Sequence, residues 1–309
     1  MRTFLPLSAT AVAALTFGAP AEACSICRCG DPTFNALGSD GVAQTDLRVA
    51  LDWDEVRKSQ GDPAEGIESL TERRTTLMLA YGLSDRVGVF ARVPYSERTL
   101  EEKGADGHET THASGLADPE LSAQVRLWSS PIEGDVGARS SVFLVGGVKT
   151  AWGENSVSRN GERLDEHVQP GTGSTDVFGG LASSYQVNPH SAVFTSFQYR
   201  VPGRNDVGYR YGNALLANVA YEHKFSKRWD TVLELNYRNA GRDEIDRQGT
   251  LDPDTGGSML FVTPRVLFDV GSGWVLRLSV QAPVTQNGLN GHQEEKAVFN
   301  LGVTRLSIR

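Results

Sequence analysis

The chain has 309 residues, 33 of them glycine, with 39% hydrophobic and 8% aromatic residues and a formal net charge of −8. The mild acidic balance, with no basic stripe, argues against nucleic acid as a partner, and no segment beyond the N-terminus has the roughly eighteen uninterrupted apolar residues of a membrane helix. All three cysteines lie between positions 24 and 29, which leaves none to staple the rest of an exported fold.

Arg2 and the apolar run Phe4 to Phe17 read as an export signal too short to span a bilayer, and Ala21-Glu22-Ala23 supplies a small-x-small cleavage pattern. Residues 1–23 are therefore expected to be a signal peptide, 24–44 a periplasmic cysteine-rich segment and 45–309 the folded domain. Cys24, Cys27 and Cys29 stand in Cys-x-x-Cys-x-Cys spacing, which can converge on one soft ion, Cu or Zn. Haem attachment would need His where Arg28 stands. A Cys27–Cys29 or Cys24–Cys27 disulfide and acylation of Cys24 are open alternatives, the last set back by Ala21 and Glu22 in the signal. Asp31, Pro32 and Gly38 carry the cap, first-turn and stop signals of a short helix. It would bring Phe34 and Leu37 to the periplasmic mouth as a plug or a tether, and residues 24–40 are where a periplasmic partner would dock.

From Leu47 the pattern changes. Leu47, Val49, Leu51 and Trp53 alternate with Arg48, Ala50, Asp52 and Asp54, the rhythm of a strand with one apolar and one charged face. The rhythm recurs and predicts strands over 45–54, 71–82, 86–95, 117–128, 140–151, 175–186, 191–201, 211–223, 229–238, 258–270, 274–284 and 297–308. Short links follow the second, sixth, eighth and tenth strands, with a somewhat longer one at Pro131-Ile132-Glu133-Gly134. Long links occupy 55–70, 96–116, 152–174, 202–210, 239–257 and 285–296. Twelve strands with alternately short and long connections predict an all-β chain: a transmembrane up-and-down antiparallel β-barrel with periplasmic turns, external loops and both termini in the periplasm. It would sit among the lipids of the outer membrane of a Gram-negative bacterium. Aromatics are expected to form two interfacial girdles, Trp53, Tyr95, Trp152, Tyr199, Tyr211 and Tyr237 outside, Tyr81, Trp128, Tyr185, Tyr221, Trp229 and Trp274 inside.

The alternation also assigns faces. Val87, Leu121, Val219, Leu233, Leu278 and Leu301 are expected to face lipid. Arg48, Arg74, Arg92, Arg126, Asp176, Arg200, Glu234, Arg265 and Arg277 are expected to face the lumen as a solute pathway. Inward arginines can guide small anions by bidentate contact. They can equally pair with Asp52, Glu120, Asp176, Glu222, Glu234 and Asp269 and brace a slim lumen. Both readings stay open.

An enzyme on the barrel wall would need a serine, a histidine and an orienting group together. Five of the six histidines fall in links; His223 ends a strand on the outward face. His108, Glu109 and His112 are spaced one residue wider than the helical zinc-protease motif and fall in a link, where an external metal is one option. No catalytic constellation is found, and the protein is not expected to be an enzyme.

Gly146-Gly147-Val148-Lys149-Thr150, followed after a loop by Gly171-Thr172-Gly173-Ser174-Thr175-Asp176 entering the next strand, resembles the bacterial outer-membrane family labelled "MetA pathway of phenol degradation". The resemblance covers about residues 45–309. It implies a channel or transporter for a small, often organic solute, passive or facilitated. The alternative is a non-conducting barrel that presents the cysteine-rich segment to a metal or redox partner. The chain departs from the family at its cysteine-bearing N-terminus, and from outer-membrane barrels generally in ending Leu306-Ser307-Ile308-Arg309 without a terminal Phe.

Overall fold

A computed structural model describes residues 45–62, 66–104, 107–130, 140–253, 255–287 and 294–308. The expected signal peptide, the three cysteines and the short helix all lie outside the described residues. The strands are β1 (Leu47–Asp62), β2 (Gly66–Gly82), β3 (Val87–Gly104), β4 (Gly107–Leu116), β5 (Glu120–Ser129), β6 (Ser140–Lys149), β7 (Ser158–Arg159), β8 (Glu162–Arg163), β9 (Asp176–Asn188), β10 (Ser191–Val201), β11 (Ala214–Lys224), β12 (Trp229–Ala240), β13 (Gly257–Gly271), β14 (Trp274–Asn287), β15 (Glu294–Glu295) and β16 (Val298–Ile308). Twelve of them form one antiparallel ring, β1-β2-β3-β5-β6-β9-β10-β11-β12-β13-β14-β16, and β16 pairs back onto β1 with Leu51 opposite Val303. Closure leaves no sheet edge in the spanning region, as a bilayer without water requires.

The ring is inside-out relative to a soluble protein. Leu121, Leu181, Phe197, Leu233, Leu278 and Leu301 are exposed on its outer face, while Asp52, Thr76, Asn218, Glu234 and Arg277 on strands of the same ring are buried. Such a surface is stable only against hydrocarbon, where an outward Arg or Lys at mid-depth would cost about 2–4 kcal/mol. Trp53, Tyr95, Tyr199 and Tyr237 are exposed at one end and Tyr81, Trp128, Tyr185, Tyr221, Trp229 and Trp274 at the other. Tyr211 does not join the outer girdle: it is 4% exposed and donates its hydroxyl to the carbonyl of Glu166, 3.1 Å away.

Two expected loops are strand instead. Where links were expected at 55–70 and 96–116, β1, β2, β3 and β4 continue in register as far as Asp62↔Gly66 and Gly104↔Gly107. The alternation of apolar and charged side chains fades there because both faces of the sheet now meet polar surroundings. Arg57 and Arg73 point outward onto Glu55, and Glu72 points inward. The fourth expected strand, 117–128, is also shorter at its start. Ala117-Asp118-Pro119 breaks β4 from β5, although both pair with β3. Pro119 has no N–H to give a ladder, and the break turns the Asp118 carboxylate inward.

Near the periplasmic end the lumen carries two apolar patches. Ala50, Met78 and Ala80 cluster with Phe90 on one side, and Ala192, Phe194, Ala220 and Val232 cluster with Leu267 on the other. Above them the interior is polar.

Candidate solute pathway

All nine residues assigned to the lumen from the sequence alternate with lipid-facing neighbours and point inward. Most are paired. Arg200 reaches Glu120 at 2.7 Å with its guanidinium over the Phe178 ring, Arg265 reaches Glu234 at 3.1 Å, and Arg277 bonds Asp52 across β16. Arg74 holds Glu72 at 2.6 Å, where Arg98 stands 3.5 Å away and Ser96 donates at 2.8 Å. Arg48 bonds Asp46, and Asp176 lies 3.3 Å from Lys149. The bracing role left open by the sequence is therefore real. It does not use every donor: Nε of Arg92, Nε of Arg126 and Nη1 of Arg277 are buried without a hydrogen-bond partner. A buried donor left unmade costs about 1–3 kcal/mol, so these three favour an anion or water at the wall.

The external mouth is covered by the connection between β6 and β9. Its root is the Asp118 carboxylate. Oδ1 accepts the Gly153 N–H at 2.9 Å, Oδ2 accepts the Thr172 N–H at 2.7 Å, and Lys149 Nζ bonds Oδ2 at 2.9 Å and the Ser174 carbonyl at 3.0 Å. A Cβ on Gly153 would come within 2.7 Å of the Asp118 main chain, so this contact needs glycine. The tip, Glu166 to Gln169, is buried. Arg98 on the inner face of β3 donates to the carbonyls of His167 and Gln169, the first at 2.8 Å.

Two further external connections close onto that tip. Tyr209 donates to Asp243 Oδ2 at 2.6 Å and lies 3.0 Å from His167 Nε2, and the rings of His167, Tyr209 and Tyr211 meet edge to face. Asn205 Nδ2 donates to Glu166 at 2.9 Å. Above them Glu244 accepts from both Arg204 and Arg210. Partial burial pushes the Glu244 carboxyl up, but the two guanidinium hydrogen bonds outweigh it and hold the group below its ordinary range. The three connections form one lid.

Sequence reading missed Arg98, Asp118, His167, Tyr209 and Asp243 as site residues. A strand rhythm carries no signal for partners 69 residues apart, as Arg98 and His167 are. Gly171 approaches so closely that a Cβ on it would come within 2.9 Å of the Gly153 main chain, but a glycine by itself does not name its neighbour.

The histidine groupings resolve differently. His108 and His112 share the outer face of the β3–β4 hairpin but stand on either side of Thr110; His112 Nδ1 meets Thr99 Oγ1 at 3.0 Å. No group of three metal-ligating side chains occurs among the described residues. His223 has a serine partner the sequence did not show, Ser191 Oγ at 2.9 Å, but Ser191 is 2% exposed and so is not presented to lipid.

A family model described as "Putative MetA-pathway of phenol degradation" matches residues 65–301. No match was found among curated proteins. Among solved structures, an outer membrane channel from Pseudomonas putida F1 superposes with a TM-score of 0.68 at 13% identity, over 88% of this chain and 99% of that one. The KdgM porin in complex with oligogalacturonate gives 0.46 at 10% identity, over 84% and 99%, and the CymD monoaromatic hydrocarbon channel 0.43 at 9%, over 86% and 89%. Only the first is similar enough to speak to architecture, and it speaks to the fold alone.

Proposed function

Since the chain belongs to the family described as "Putative MetA-pathway of phenol degradation", we propose that this outer-membrane barrel passes a small solute along its arginine-bearing interior, passively or by facilitated diffusion. One observation carries the reading: Arg92, Arg126 and Arg277 keep buried donors unmade in a lumen whose carboxylates are largely committed to other cations. Those donors favour a small anion, a carboxylate above all, because a planar oxyanion can take two N–H groups at once. The lid covers the external mouth, so flux is expected to be low and selective by size.

The test is reversal potential in planar bilayers under a salt gradient, with proteoliposome swelling in candidate carboxylates alongside. The wild-type protein should prefer anions, and Arg92→Ala with Arg126→Ala should weaken that preference while the barrel remains folded. A folded barrel with no conductance and no swelling would overturn the reading. That result would favour a barrel that only presents residues 24–40 to a periplasmic partner, with Cu or Zn held at Cys24, Cys27 and Cys29.

A further inference from the structure

At the periplasmic end of the ring, β16 turns a cation toward lipid. Phe299 and Leu301 are exposed on the outer face of this strand while Gly302 and Thr304 are buried, so Arg305 points outward with the first two. It stands opposite Trp274 on β14 and Val49 on β1. Its depth is therefore that of the periplasmic aromatic girdle, the level of lipid headgroups. Outward arginines at the external end have a carboxylate of their own: Arg57 and Arg73 reach Glu55 at 2.6 and 3.2 Å. Arg305 forms no ion pair among the described residues.

The side chain is held in place before anything binds. Its guanidinium lies over the Trp274 ring, 5.5 Å from the centroid. The tight turn that joins β13 to β14 lies against it, with Ser272 and Gly273 at φ of 53° and 77°. A Cβ on Gly273 would come within 2.8 Å of Arg305 Nη1, so the guanidinium uses the space that this glycine leaves. Nη1 is buried there without a hydrogen-bond partner, while the residue as a whole is only half-buried. A charged donor with no acceptor is costly, and at this depth the acceptors at hand are headgroup oxygens. A phosphodiester offers two of them to one planar guanidinium. The indole N–H of Trp274 is a further donor at the same level. Toward the membrane centre Leu276, Leu278 and Leu301 are exposed on the same two strands, a track for acyl chains.

We propose that Arg305 and Trp274 form a binding site for the phosphate of a phospholipid in the periplasmic leaflet, with its acyl chains along Leu276, Leu278 and Leu301. The source of the phosphate is a lipid headgroup rather than a dissolved ion, because the cation opens onto the membrane face and the apolar track continues from it. With the guanidinium already oriented by the indole and the turn, binding loses little rotamer freedom.

The experiment uses the full-length protein in mild detergent, stripped of lipid and titrated with short-chain phosphatidylglycerol, with bound lipid counted by native mass spectrometry. Arg305→Gln should weaken the tightest binding step by about tenfold or more while the barrel keeps its heat-modifiable migration. Arg305→Lys keeps the charge without the planar fork, so it should bind more weakly than wild type, and it serves if the Gln variant does not fold. Arg57→Gln, at the external end, should bind as wild type does. Neither diacylglycerol of the same chain length, which lacks the phosphate, nor inorganic phosphate, which lacks the chains, should displace the lipid. Unchanged binding in whichever Arg305 variants fold, or displacement by diacylglycerol, would overturn the phosphate site. Displacement by inorganic phosphate would overturn the lipid as its occupant. The readout needs no conduction, so failure of the lipid site and failure of the channel reading are separable.

Discussion

Gly302 shows how one residue decides whether the inner ion lattice can exist. It lies on β16 between Asp52 on one neighbouring strand and Arg277 on the other. The bridge between those two side chains passes over it, and a Cβ there would collide with the Asp52 carboxylate and stand 2.6 Å from the Arg277 guanidinium. Glycine here makes room for a charge pair and has nothing to do with a turn. Gly302→Ala should cost about 1–3 kcal/mol by overpacking alone. The loss should be less than additive with Asp52→Ala, because removing the carboxylate also removes the clash. Urea unfolding from lipid vesicles measures both variants and the double variant. Full additivity would mean the bridge does not pass over Gly302.

The lid covers the external mouth, and its attachments differ in kind. Arg98 offers charged donors to two main-chain carbonyls. Arg98→Met keeps much of the volume but leaves both carbonyls without their donor, and an unsatisfied buried group costs about 1–3 kcal/mol. The lid should loosen while the ring persists: trypsin added to intact cells should cut after Arg163 in the variant and spare the wild type. The outer fork of Glu244 with Arg204 and Arg210 is sensitive to acid instead. Its folded carboxyl titrates below the ordinary value of 4.5, so its contribution is complete above that pH and fades as pH falls through the lower, folded value. Protease access to the two connections it joins should therefore rise below about pH 4.5, with no change between neutral pH and 5. Glu244→Gln should show the acid phenotype at neutral pH and lose the dependence. These attachments could not be read from the sequence. Each joins a side chain to a distant carbonyl or to another loop, and only residues alternating along one strand leave a periodic trace.

At the scale of the whole molecule, the bilayer explains which parts of the fold were legible. Between the girdles it demands apolar side chains outside and leaves the polar ones within. The rhythm of β1, β10 or β12 is thus imposed residue by residue, and strand bounds such as Ser191–Val201 follow directly. Beyond Trp53 and Tyr95 the constraint lapses. Strands run on with Glu55, Arg57 and Arg73 outward, and the same sequence looks like a loop. The depth at which the rhythm stops is therefore a statement about where hydrocarbon ends, and it can be measured. Leu278→Arg and Leu233→Arg, outward in the spanning ring, should each lower folding free energy in vesicles by about 2–4 kcal/mol. Thr71→Arg lies opposite Arg57 in the external sheet and should cost within about 1 kcal/mol, since charges near or beyond the interface meet water. A uniform penalty at all three positions would place the external sheet inside the membrane and refute the register of the ring. A negligible penalty at Leu278 and Leu233 would deny that lipid touches this face.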